Sequence, residues 1–116
     1  MPLPTPIPMD LAELIAARLR VIGDASRIRI LDLLRDGELT VAQITEQLGS
    51  SQQNTSKHLG VLLRSGVVRR RKAGTSSLYS VADAGVYELC EQVCGGLRQQ
   101  LDGLQALVTG VAGARR

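Results

Sequence analysis

With 116 residues and 44% apolar composition, the chain has the size of one domain and enough apolar side chains for a modest core, which argues against disorder. No apolar run approaches the roughly 18 residues of a bilayer span, so no membrane partner is expected. The net charge of +3 is unevenly spread: Gln47 to Ala82 holds no Asp or Glu against Lys57, Arg64, Arg69, Arg70, Arg71 and Lys72, while all 11 acidic residues lie in the flanks. Such a cationic middle suits a polyanion, because Lys and Arg gain by displacing counterions from phosphates; the plainer alternative is a solvated charge run.

Residues 1–9 carry all four prolines and lack the basic-then-apolar layout of a secretory signal, which predicts a flexible tail on a soluble, cytoplasmic protein. Leu11, Leu14, Ile15, Leu19 and Ile22 recur at helical spacing, so Asp10 to Ile22 reads as an amphipathic helix that Gly23 stops. Asp24 is a good N-cap for a second helix to about Arg35, with Ile30, Leu31 and Leu34 on one face and Gly37 closing it. Thr40 and Gln43 have capping-box spacing, and Val41, Ile44 and Leu48 mark a short third helix ending at Gly49. A fourth helix, Ser51 to Ser65, is expected to bury Leu59, Leu62 and Leu63 and to turn Gln53, Ser56, Lys57, Gly60 and Arg64 outward. After Gly66 the period changes. Val67 to Lys72 and Ser77 to Val81 read as strands joined at Ala73-Gly74-Thr75, a β-hairpin with glycine at its tip. From Ala84 to about Val108, the positions Val86, Cys90, Val93, Leu97, Leu101, Leu104 and Val108 step by three and four along a long final helix, a stripe that usually finds a partner helix.

A short helix, a Gly-containing turn and a second amphipathic helix make a helix-turn-helix, and the hairpin behind it makes a wing. The predicted fold is therefore mostly α with a small β-hairpin, a winged helix-turn-helix in the order α-α-α-α-β-β-α. It occupies residues 10–109 as one domain, followed by a second flexible tail over residues 110–116.

Three stretches carry a family likeness: DASRIRIL (Asp24 to Leu31), ELTVAQITEQLGSSQQNTSKHLGVL (Glu38 to Leu62) and SGVVRRRKAGTSSLYSV (Ser65 to Val81). Over roughly Leu19 to Leu101 the chain resembles the ArsR/SmtB family of dimeric winged-helix repressors. The resemblance implies a homodimer formed through the first and last helices, here through Leu11, Leu14, Ile15, Leu19, Val86, Cys90, Val93, Leu97, Leu101 and Leu104. It also implies that the fourth helix enters the major groove, and that an inducer relieves repression.

The start of the fourth helix offers the right chemistry for double-stranded DNA. Gln52 and Gln53 are the expected base readers, since an amide pairs bidentately with adenine. Ser51, Asn54, Ser56, Lys57, His58 and Arg64 are expected to hold phosphate and fix register. Thr55 departs from the aliphatic residue usual in the family, so it either packs inward or faces DNA. In the wing, strand alternation favours Arg70 and Lys72, with Arg71 in reserve. With no Trp, no Phe and two Tyr, the chain lacks the stacking platform of RNA and single-strand readers, so duplex DNA is expected and RNA is not. A symmetric dimer would read an imperfect inverted repeat.

Two metal sites known in the family can be checked against the residues. The one on the third helix needs cysteines between Glu38 and Gln43, where there are none; of the one on the final helix only Asp83 survives, beside Gly85, Gly96 and Gln99. One carboxylate cannot replace the ligands that zinc, nickel or cobalt prefer. Cys90 and Cys94, spaced i, i+4 on one side of the last helix, admit two readings. They are either packing residues or a thiol pair for a thiophilic metal, a metalloid or reactive sulfur, so no cofactor is certain. His58, the only histidine, is expected as a phosphate or a structural hydrogen-bond partner; it has no carboxylate nearby in sequence, and catalysis is not expected. Two rivals stay open: a thiol-dependent enzyme or metal carrier, and a module that binds another protein through the last helix.

Overall fold

Asp24, Thr40 and Ser51 each stand one residue before a helix in the computed structural model, and each side chain accepts a backbone N–H of the first turn. Asp24 Oδ1 accepts from Arg27 at 3.1 Å, Thr40 Oγ1 from Gln43 at 3.2 Å and Ser51 Oγ from Asn54 at 3.0 Å. The Gln43 side chain returns a bond to the Thr40 N–H at 2.9 Å, which completes the capping box. These caps satisfy helix N–H groups that have no partner inside the helix.

Residues 2–109 are described, so the tail expected at 110–116 lies outside them. The chain forms two compact units, Met1–Asp83 and Ala84–Arg116. The first holds α1 (Met9–Ile22), α2 (Ala25–Leu33), one 3₁₀ turn (Leu34–Asp36), β1 (Leu39–Thr40), α3 (Val41–Leu48), α4 (Gln52–Arg64), β2 (Val68–Ala73) and β3 (Ser76–Val81). In the second, α5 spans Gly85–Thr109. Residues 2–8 precede α1 and are exposed and non-helical.

Two features differ from the expected order. The second helix ends at Leu33, and its last turn tightens into the 3₁₀ turn before Gly37, whose φ of 148° suits glycine. The hairpin also gains a third strand: β1 pairs antiparallel with β3, Leu39 against Tyr79 and Thr40 against Leu78, giving the sheet order β1-β3-β2. Two residues are too few to show an alternating pattern, so β1 exists through its non-local partner.

The core of the first unit is built from Ile22, Ile30, Leu31, Leu34, Ile44, Leu59, Leu62, Val67, Val68 and Tyr79. Each such side chain removed from water contributes about 1.5–3 kcal/mol. Leu63 is half-buried. Thr55 joins the core at 0% exposure, its hydroxyl donating to the Ser51 carbonyl at 3.0 Å. It therefore packs inward, with its polar atom satisfied one turn back.

Candidate nucleic-acid interface

With Thr55, Leu59 and Leu62 turned inward, α4 leaves the side chains of Gln52, Gln53, Asn54, Ser56, Lys57 and Arg64 exposed, as is Ser51 at its N-cap. Ser51, Gln53, Asn54 and Lys57 line a shallow surface depression. Not all of these groups are equally available. Ser51 is engaged as the cap, and Asn54 Nδ2 donates to Ser50 Oγ at 3.2 Å, so both also hold the turn that aims the helix. Among the described residues Gln52, Gln53, Ser56 and Lys57 make no side-chain hydrogen bond or ion pair. The Arg64 guanidinium folds back over Gly60, where an added Cβ would lie 3.2 Å from Nη1.

Of the two roles expected for His58, the geometry shows a structural contact. The ring is half-buried, and its Nδ1 lies 3.1 Å from Arg27 Nη1 of α2. The position after Lys57 turns toward the body of the unit, so this ring is spent on an internal contact.

The wing is a two-stranded antiparallel ribbon with Arg70 opposite Tyr79, Arg71 opposite Leu78 and Lys72 opposite Ser77, turning at Gly74 with φ 65°. Side-chain alternation puts Arg70 and Lys72 on the face of buried Val68 and Tyr79, and Arg69 and Arg71 on the other. Arg69, Arg70 and Lys72 are exposed and make no ion pair among the described residues. Arg71 is exposed but engaged: its Nε and Nη2 donate to the two carboxylate oxygens of Glu38 at 2.7 and 2.8 Å. That fork holds the Glu38 carboxyl below the usual glutamate range and raises Arg71 further above its own. The Asp24 carboxyl is also lowered, chiefly by the Arg27 N–H it caps.

The helices implied in dimerisation present a different surface. On α1, Met9, Leu14 and Leu19 are exposed, Leu14 by 70%, while Leu11 and Ile15 are half-buried. On α5, Val93, Leu97, Leu101, Leu104, Leu107 and Val108 are all more than half exposed. Val86 differs from the rest of the expected interface. It is only 2% exposed within one chain and has almost no surface left for a partner. Cys90 is half-buried, Cys94 is exposed, and both are free thiols. Asp83 is 3.0 Å from Arg18, so the one surviving ligand of the final-helix metal site faces a cation. Among the described residues no three His, Cys, Asp or Glu side chains gather as a metal set.

Sequence reasoning passed over the groups that tie the interface down. Arg27, Arg18 and Glu38 each reach partners 31 or more residues away, and only the N-cap relation of Asp24 to Arg27 is visible locally. No described helix is long and apolar enough to cross a membrane.

A capped helix with a polar outer face, set after a tight turn and beside a cationic hairpin, defines a winged helix-turn-helix DNA-binding protein. The family described as a helix-turn-helix domain matches residues 22–71. The transcriptional regulator KmtR of Mycobacterium tuberculosis is 34% identical over 86 residues, 74% of this chain and 66% of that protein. The HTH-type regulator Rv0081 of the same organism is 36% identical over 80 residues, 68% of this chain and 70% of that protein. Its crystal structure matches with a TM-score of 0.73, covering 83% of this chain and 97% of that one at 33% identity. The homodimeric winged helix-turn-helix domain of Mb0332 from Mycobacterium bovis matches with a TM-score of 0.69 at 29% identity, over 80% of this chain and 86% of that one. The "Probable mercury resistance operon repressor" of Streptomyces lividans is 34% identical over 83 residues, 72% of this chain and 66% of that protein. The chain belongs to the ArsR/SmtB family of winged helix-turn-helix transcriptional regulators.

Proposed function

We propose that two copies of this chain bind an imperfect inverted repeat in duplex DNA and repress the adjoining genes in the cytoplasm until an inducer releases them. The observation that carries this reading is the division of α4: Thr55, Leu59 and Leu62 are buried, while Gln52, Gln53, Ser56 and Lys57 are outward and unpartnered among the described residues. The two glutamines read base edges; Ser51, Asn54, Ser56, Lys57 and Arg64, with Arg70 and Lys72 of the wing, hold phosphate. Arg71 contributes only after sharing its fork with Glu38. Two such helices about 34 Å apart meet successive major grooves on one side of the duplex. Tyr79, at 8% exposure, is no platform for stacking bases, which supports duplex DNA over RNA. The role is binding rather than catalysis: the His58 Nδ1 is taken up by Arg27, and the Asp24 carboxyl near the ring is engaged as the cap of α2.

A titration of the chain on its own upstream DNA and on random duplex, at several salt concentrations, tests this. Preference for the upstream sequence supports the reading; Gln53→Ala should lower discrimination by about 1–3 kcal/mol while barely changing binding to random DNA. Equal affinity for both duplexes overturns it and favours a protein-interaction module.

The inducer reading rests on Cys90 and Cys94, one turn apart, with Cys94 open to solvent. Two thiolates per chain, and four in a dimer, suit a soft ion such as arsenite or cuprous ion, or oxidation by polysulfide. Release of bound DNA by one of these in the wild type but not in Cys90→Ser supports sensing; equal behaviour assigns the cysteines to packing. Turnover by the thiol pair without duplex binding would favour the enzyme or carrier reading.

A further inference from the structure

The Arg27 side chain joins three helices. Its Nε donates to the Val21 carbonyl at 2.5 Å and its Nη2 to the Arg20 carbonyl at 3.4 Å, both in the last turn of α1, where carbonyls have no donor inside the helix. A cation there also meets the negative end of the α1 dipole. On the far side, Nη1 is 3.1 Å from His58 Nδ1 on α4. A guanidinium has no acceptor, so in this contact Arg27 is the donor and Nδ1 the acceptor. Meanwhile the Arg27 backbone N–H fixes the start of α2 on Asp24. A second arginine repeats the link: Arg18 of α1 donates to the carbonyl of Ser65, just past α4, at 2.9 Å, and to Asp83 at 3.0 Å. The end of α1 thus holds α4 at mid-length and at its C-terminus.

We infer that Arg27 is a positioning residue for DNA reading, setting through His58 the rotation of α4 against the end of α1. The inference rests on α4 being the base-reading helix. His58 follows Lys57 and lies five residues from Gln53, so a turn of α4 at His58 moves both outward groups. Bidentate hydrogen bonds tolerate only a few tenths of an ångström, so small rotations cost sequence choice before they cost phosphate contact. The planar fork makes lysine a poor substitute, since an ammonium cannot serve two carbonyls and an imidazole in one plane.

The test uses the full chain carrying Arg27→Lys, Arg27→Ala, His58→Leu, His58→Asn or the Arg27→Ala/His58→Leu pair. Affinity is measured on upstream and random duplex, with thermal melting and sedimentation alongside. Arg27→Lys and His58→Leu should each lower the specific-to-random ratio by about tenfold, with random-duplex affinity and dimer mass retained. The double variant should lose about as much as either single one. His58→Asn, whose amide oxygen sits near the Nδ1 position, should recover most of the ratio. If Arg27→Ala does not melt cooperatively, Arg27→Lys and the His58 variants carry the test. The inference is overturned by an unchanged ratio, by both affinities falling together with the melting temperature, or by losses that multiply in the double variant. Gln53→Ala and Lys57→Ala in the same assay separate the two layers: if they weaken binding while the Arg27 and His58 variants leave the ratio alone, only the positioning role fails. If they too change nothing, the reading of α4 fails with it.

Discussion

Helices α4 and α5 carry apolar residues at the same three-and-four spacing, yet they treat them in opposite ways. In α4 the stripe of Thr55, Leu59 and Leu62 is buried and the polar residues face outward. In α5 the positions Val93, Leu97, Leu101 and Leu104 are 52–64% exposed in a single chain. A helix that has spent its apolar face offers solvent only hydrogen-bonding groups, the chemistry of nucleic acid. One that has kept that face open has apolar surface to cover, and the proposed occupant is a second copy of the chain; the Mb0332 relative is a homodimer.

The comparison breaks most sharply at α5. Leu97→Glu combined with Leu101→Glu should leave the chain monomeric by sedimentation and lower operator affinity by at least about a hundredfold, because the two half-sites no longer share one ligand. A dimer that survives this change would move the interface off α5. Next in size is the wing: Arg70→Ala or Lys72→Ala should weaken binding to every duplex by up to about tenfold and shallow the salt slope by about one unit, without changing the dimer. Glu38→Gln should act in the opposite direction. Freeing Arg71 should raise affinity for random duplex about two- to threefold and steepen the salt slope. The same variant has a pH signature. Because the folded state holds the Glu38 carboxyl below its unfolded value, the stabilisation is complete above the unfolded value and is lost as pH falls through the lowered folded one. The urea midpoints of wild type and Glu38→Gln should therefore differ near neutrality and converge in acid below the ordinary glutamate range. The smallest effect should be that of Gly60→Ala, which adds about 0.5–1 kcal/mol of helix stability, seen as a melting temperature raised by a few degrees. The Arg64 tip must shift a little to admit the methyl group, so DNA binding should barely change.

The local part of this architecture could be read from the sequence. Asp24, Thr40 with Gln43, Ser51, Gly49 and Gly74 mark helix starts, a helix end and the hairpin turn through interactions with their immediate neighbours, and the structure puts each in that role. What escaped was set by distant approach. Strand β1 is defined by its pairing with Tyr79 and Leu78, and His58 is drawn inward by an arginine 31 residues earlier. Arg71 is engaged by a carboxylate 33 residues before it, which strand alternation cannot reveal. Thr55 is the intermediate case: its spacing from Leu59 and Leu62 allowed an inward position, but only a hydroxyl bond back to Ser51 makes threonine cheap to bury there.

The carboxylate clamped on the wing bears on how such a protein would find its target. On a chromosome nearly every encounter is with the wrong sequence, where grip is purely ionic and each unshielded cation prolongs the stay. On the proposed wing contact, an arginine already leaning on Glu38 would make those chance visits briefer, and the search would move on sooner to the next stretch of double helix.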